Sequence, residues 1–184
     1  MSLPDRNDYG ATAIGLHWLA AALIVANLAL GLYMVDLSLS PAKLRYYSWH
    51  KWAGVTIFLL SALRLLWRLT HRAPTLPDSM PTWQRAAAHA SHHLLYLLFF
   101  AVPLTGWLFS SAAGFQTVYF GVVPIPDLLD KNKELADVLK LVHRSLTYGL
   151  AALVVLHAAA AIKHHVVDND DVLARMLPFL KPRS

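Results

Sequence analysis

Cysteine is absent from the 184-residue chain, which excludes disulfides, thiolate metal sites, cysteine-ligated iron–sulfur clusters, thioether-linked haem and cysteine nucleophiles. Charge is scarce as well. Only 15% of residues are charged and 57% are hydrophobic, with a mean hydropathy of +0.44, against roughly 25% charged in soluble domains. An ordinary soluble globular protein is thereby excluded. The net charge of +5 contains no long basic run and no interleaved basic-aromatic motif, so nucleic acid is not an expected partner. Any metal has to rest on the histidines, of which there are ten.

Charge-free windows run from Ala11 to Val35, from Trp52 to Leu63, from Ala86 to Pro126 and from Ser145 to Ile162. The second extends outward through Trp49 and Trp67, and each window with its flanks reads as a helix able to cross a hydrocarbon core of about 30 Å. The expected fold is all-α: a membrane four-helix bundle forming one domain over residues 1–184, with spans at about 11–35, 46–69, 86–111 and 143–165. The third window is too long for one helix and contains Gly114, Gly121, Pro124 and Pro126, so its end reads as an apolar interfacial loop. Segment 127–142 has alternating charge with Leu128, Leu135, Val138 and Leu139 recurring, which predicts a short amphipathic helix on the periplasmic side before span four. Asp5 and Asp8 beside Arg6 argue for a retained first span rather than a signal peptide. With four spans both termini share a side. That side holds nine Lys and Arg (Arg6, Arg64, Arg68, Arg72, Arg85, Lys163, Arg175, Lys181, Arg183) against seven opposite, and the positive-inside tendency makes it cytoplasmic.

Residues 14 apart on a helix lie within about 40° of one face and roughly 21 Å apart along the axis. His143 and His157 are such a pair, so span four presents one imidazole near each surface. His50, at the start of span two, matches the periplasmic depth of His143, and His17, in span one, matches the cytoplasmic depth of His157. Two neutral imidazoles at each depth suit a bis-histidine b-type haem that transfers electrons and leaves no open coordination position. Ionisable groups at membrane depth are costly and usually functional. Arg64 follows His50 by 14 residues and reaches the cytoplasmic level, where a haem propionate would give it an anion; snorkelling to the cytoplasm fits it equally. Gly54, Gly15 and Ala158–Ala161 leave room for a flat macrocycle, or for close helix packing.

His89, His92 and His93 open span three in the sequence HASHHLLY. Three readings stand for these three histidines: replacement of His17 on the inner haem, a quinone pocket with proton-exchanging imidazoles, or the polar end of an interfacial helix. His71, His164 and His165 read as interfacial, the tryptophans mark membrane surfaces, and Trp18 suits packing on a porphyrin.

The LHW of Leu16–Trp18, the HKWAG of His50–Gly54, HASHHLLY with Pro103 and Gly106 downstream, His143, and LHAAAAIKHH followed by a tail from Asp171 to Pro178 together resemble the bacterial cytochrome b561 family, over essentially the whole chain. The membrane subunits of formate dehydrogenase and nickel–iron hydrogenase are similar in drawing haem ligands from spans one, two and four. The resemblance implies two haem b groups, His17 with His157 and His50 with His143, in a multi-pass protein of the bacterial inner membrane. It implies electron transfer with ubiquinone. One branch is understood as superoxide oxidase, which passes electrons from periplasmic superoxide to ubiquinone.

A small anion such as superoxide would gain on-rate from a cationic approach, for which Lys51 and Arg144 are the candidates, with Lys43 and Arg45 nearby; Asp127, Asp130, Glu134 and Asp137 oppose that field. Quinone reduction needs protons, which His89 and His92 are placed to deliver. The expected activity is therefore a superoxide:ubiquinone oxidoreductase. The alternatives are a membrane anchor or electron-transfer subunit of a larger quinone-linked oxidoreductase, for which the short loops offer little docking surface, and a histidine-based metal transporter. No obligatory protein partner is evident beyond the lipid bilayer and the two substrates.

Overall fold

The computed structural model describes residues 8–177 together with Phe179 and Leu180. Arg6, Lys181 and Arg183 of the charge tally, Asp5 of the signal-peptide argument and Pro178 lie outside the described residues.

Four long helices are present, each long and apolar enough to cross a membrane. The first, α1 (Ala11–Val35), carries no charged side chain over its 25 residues and rises about 37 Å, enough for the hydrocarbon core. The second, α2 (Pro41–Thr70), is capped by Ser40, whose hydroxyl accepts from the Lys43 N–H at 3.2 Å, and Pro41 sits at its first position, where no N–H is required. That cap explains why α2 begins five residues before its expected start. It stops where Pro74 and Pro77 forbid continuation. The third, α3 (Thr82–Ala112), starts directly after Pro81 and contains Pro103. Its end is fixed by Gly114, whose φ of +76° suits glycine and whose N–H bonds the Ser111 carbonyl at 2.9 Å.

The apolar loop expected after span three is a two-stranded hairpin. Strand β1 (Thr117–Tyr119) pairs antiparallel with β2 (Val123–Ile125), Thr117 opposite Ile125 and Tyr119 opposite Val123. Phe120 and Gly121 have φ of +51° and +74°, the two positive angles of a type I′ turn. The strand signal was hidden by Pro124 and by brevity. The hairpin lies on α2: Trp52 donates to the Val118 carbonyl at 2.7 Å, and the Thr56 and Tyr119 hydroxyls are 2.9 Å apart.

Residues 133–142 are helical, but they do not form a separate amphipathic helix. They are the opening turns of α4 (Lys133–Val166), which runs 34 residues without a break. Asn132 caps it, its side chain accepting from the Leu135 N–H at 3.0 Å. Neither Pro nor Gly occurs between that cap and Gly149, so nothing interrupts propagation, and residues 127–132 after Pro126 stay outside the helix. At the other end Asp168 and Asp170 take the His164 ring nitrogen at 3.0 and 2.8 Å, and Lys163 meets Asp168 at 2.7 Å. This network ends α4 and turns the chain back, so that the Trp18 indole donates to the Met176 carbonyl at 2.7 Å.

Helix α1 packs along α2, α3 along α4, and α2 against α3; α4 has no comparable packing against α1 or α2. The mid-bundle core is Ile24, Ile57, Leu95, Leu98, Phe99 and Leu150, with all four helices contributing.

Candidate functional site

Each helix repeats one register. Ile24 lies seven residues after His17 and seven before Gly31; Ile57 stands likewise between His50 and Arg64, Phe99 between His92 and Gly106, and Leu150 between His143 and His157. Seven residues are two turns, about 10.5 Å, with only about 20° of drift. The bundle therefore has two polar levels on either side of an apolar layer. His17, Arg64, His92 and His157 form the level nearer the described termini. Gly31, His50, Gly106 and His143 form the level nearer the hairpin.

Within each level one pair of imidazoles faces across the seam that α4 leaves open. The ring centres of His17 and His157 are 6.3 Å apart, and those of His50 and His143 are also 6.3 Å apart. An imidazole nitrogen lies about 1.1 Å from its ring centre and a metal–nitrogen bond is about 2 Å, so two imidazoles opposed on one metal ion place their centres about 6.2 Å apart. Both pairs have that spacing. His92 lies only 5.4 Å from His157, too close for the same linear arrangement.

The hairpin level is prepared for such a role. The Nδ1 of His143 donates to the Val102 carbonyl at 3.0 Å, which leaves Nε2 with its lone pair free. Gly31 and Gly106 make room for the rings. A Cβ on Gly31 would stand 3.1 Å from Cε1 of His50, and one on Gly106 would stand 3.0 Å from Cε1 of His143. Gly54, one turn after His50, faces open space, as does Gly15. The side-chain atoms Asn27 Oδ1 and Thr147 Oγ1 around this level, and Ser61 Oγ near the other, are buried without hydrogen-bond partners. Such orphans ask for an explanation, and a group with a polar rim seated between the helices supplies one.

At the terminus level Arg64 points inward. Its Nη2 is 2.8 Å from Nδ1 of His17 and its guanidinium lies 5.6 Å from the Tyr96 ring centre. Among the described residues it has no carboxylate partner. Trp18 meets His17 edge-on at 5.2 Å. His89 and His93 are exposed at the head of α3, and His71 stacks on Trp67 at 3.7 Å.

Lys51 and Arg144 are not brought together. The Lys51 ammonium is bonded to Ser110 Oγ and the Phe115 carbonyl, each at 2.9 Å, and to the Gln116 carbonyl at 3.4 Å. It lines a half-open cavity of about 180 Å³ with Ser48, Trp52, Gln116 and Thr117. Arg144 is outside that cavity, exposed, with its guanidinium 5.7 Å from the Tyr148 ring centre. Sequence reasoning missed Gly31, although its 14-residue offset from His17 repeats the spacing that singled out Arg64 and His157.

Residues 8–179 match the family model described as Prokaryotic cytochrome b561. Cytochrome b561 homolog 2 of Escherichia coli strain K12 is 36% identical over 181 residues, covering 95% of this chain and 92% of that one. The probable superoxide oxidase CybB of Yersinia pestis is 31% identical over 183 residues, covering 94% and 97%. Cytochrome b561 homolog 1 of Escherichia coli strain K12 is 28% identical over 173 residues, covering 94% and 98%.

Proposed function

Because the chain belongs to the prokaryotic cytochrome b561 family, a haem b-binding family of membrane electron-transfer proteins of the bacterial inner membrane, we propose that it holds two haem b groups and carries electrons from periplasmic superoxide to ubiquinone. The observation that carries this reading is the equal 6.3 Å spacing of two imidazole pairs at two levels of one bundle. His50 and His143 hold the outer group; His17 and His157 hold the inner one. Bound there, haem supplies reversible one-electron uptake and release.

The chain's own residues do the rest. Val102 fixes the His143 tautomer. Arg64, without a carboxylate of its own, neutralises a propionate of the inner haem. The layer of Ile24, Ile57, Phe99 and Leu150 keeps water from joining the levels. With the termini cytoplasmic, the hairpin faces the periplasm, and Lys51 in its cavity, with Arg144 on the adjoining helix surface, draws a small anion toward His50 and His143. Superoxide gives up one electron there and leaves as dioxygen, so this end needs neither nucleophile nor general base. At the inner end ubiquinone takes two electrons and two protons, and His89 and His92 at the head of α3 pass the protons.

Rapid mixing with superoxide tests the reading. The haem absorption should shift to the reduced spectrum, more slowly as salt screens the approach, and added ubiquinone should restore the oxidised spectrum. Reduction by quinol together with no response to superoxide at any ionic strength would overturn the donor and favour an electron-transfer subunit of a larger oxidoreductase.

A further inference from the structure

The two levels are unequal in the residues that flank their imidazole pairs. At the hairpin level the helices that complete the layer offer glycine, Gly31 from α1 and Gly106 from α3, each against a ring. At the terminus level the corresponding positions hold Arg64 from α2 and a third imidazole, His92, from α3. The register is the same, seven residues either side of the core layer, so the substitution of a cation and an imidazole for two glycines occurs at one depth only.

A permanent charge inside a bundle is felt strongly. At an effective dielectric of about 20, a unit charge roughly 10 Å from an electron changes its equilibrium occupancy by about tenfold. Arg64 is half-buried, directed at His17 and faces no side-chain carboxylate among the described residues; the propionates it would meet are ones a haem at either level would bring, so its charge is what differs between the levels. Lys51, next to His50 in sequence, is placed differently, in a half-open cavity where water screens it. Its ammonium is held by Ser110 and by the Phe115 and Gln116 carbonyls. Arg144 is exposed over Tyr148, where water screens it.

We propose that Arg64, assisted by His92, makes the terminus level the stronger electron acceptor, so that an electron entering beside His50 and His143 moves downhill to His17 and His157. The bundle then carries current preferentially from the hairpin end to the terminus end. With haem held at both levels, the electron given up at the hairpin level would be the one taken up at the terminus level. The electron is supplied by a one-electron reductant at the hairpin end and removed by a quinone at the other. This inference rests on the two-haem reading and adds a direction to it. Arg64 acts here as a tuning residue and touches no substrate.

The test is a potentiometric titration of the purified full-length protein, followed in the visible spectrum. Two components are expected, separated by at least tenfold in electron occupancy, which for one-electron couples is 59 mV. His17→Ala should remove the component reduced first, and His50→Ala the component reduced last. Arg64→Leu and His92→Phe keep all four paired imidazoles and should lower the first component alone, narrowing or inverting the gap. Loss of the later-reduced component in His17→Ala, or an unmoved first component in Arg64→Leu, would overturn the assignment. A single component whose haem content is one per chain would instead defeat the two-haem reading beneath it.

Discussion

Exchanging Gly106 for alanine tests the hairpin-level pair without removing a single polar atom. The new methyl would stand 3.0 Å from Cε1, 3.2 Å from Nδ1 and 3.6 Å from Nε2 of His143. Carbon contacts are comfortable from about 3.5 Å, so the ring has to move by about 0.5 Å. It is not free to do so cheaply, because its Nδ1 is held by the Val102 carbonyl at 3.0 Å, and α3 carries both the methyl and that carbonyl. Losing such a supporting hydrogen bond typically costs 10- to 100-fold in metal affinity, about 1.4–2.8 kcal/mol. That exceeds the roughly 1 kcal/mol by which alanine favours a helix over glycine. Gly149, which has open space where a Cβ would go, is the control. The assay is haem content by pyridine haemochrome together with the low-spin visible spectrum. Gly106→Ala should lose or weaken one haem while Gly149→Ala keeps both and gains slightly in thermal stability. Equal haem content and unchanged spectra in the two variants would refute the close fit of His143 against α3.

Removing the imidazole of His50 or His143 should cost the hairpin-level haem and spare the other, with the converse for His17 and His157; a redox titration of each variant identifies the survivor. Retention of both haems in His17→Ala with loss of one in His92→Ala would move the ligand from α1 to α3. Replacing Lys51 and Arg144 with Gln should slow reduction by superoxide and flatten its dependence on salt in stopped-flow mixing, and an unchanged salt slope would exclude both as steering residues. Lys51→Gln should also loosen the hairpin, whose Phe115 and Gln116 carbonyls it holds, which limited proteolysis between Gly114 and Asp127 reads as faster cleavage. Altering His89 or His92 should slow reoxidation by ubiquinone and leave the superoxide step as it is.

The helices were legible because a membrane span has to be both long and apolar. The window Ala11 to Val35 coincides with α1 residue for residue. The ends of the others depended on single caps. Ser40 with Pro41 starts α2 early, and Asn132 starts α4 within what reads as a separate amphipathic segment. That His143 would meet His50 and His157 would meet His17 followed from the 14-residue offset on α4 together with the depths of His50 and His17 in their spans, and the rings do lie 6.3 Å apart in both pairs. The complementary glycines were not, because Gly31 carries no chemistry and matters only through the ring on the neighbouring helix. Arg64 was legible in depth but not in partner: its bond to His17 depends on how α1 and α2 are rotated, which periodicity leaves open. The hairpin was invisible for a different reason. Three-residue strands containing Pro124 give no alternating signal, and the turn depends on Phe120 taking a positive φ that its residue type rarely adopts.

The central claim is that one bundle holds two haems, one at each level. Pyridine haemochrome analysis of the purified protein, set against its polypeptide concentration by amino-acid analysis, measures this directly. The account predicts two haem b per chain, both low-spin with paired imidazoles. One haem per chain, or a high-spin component persisting after full haem loading, would contradict it.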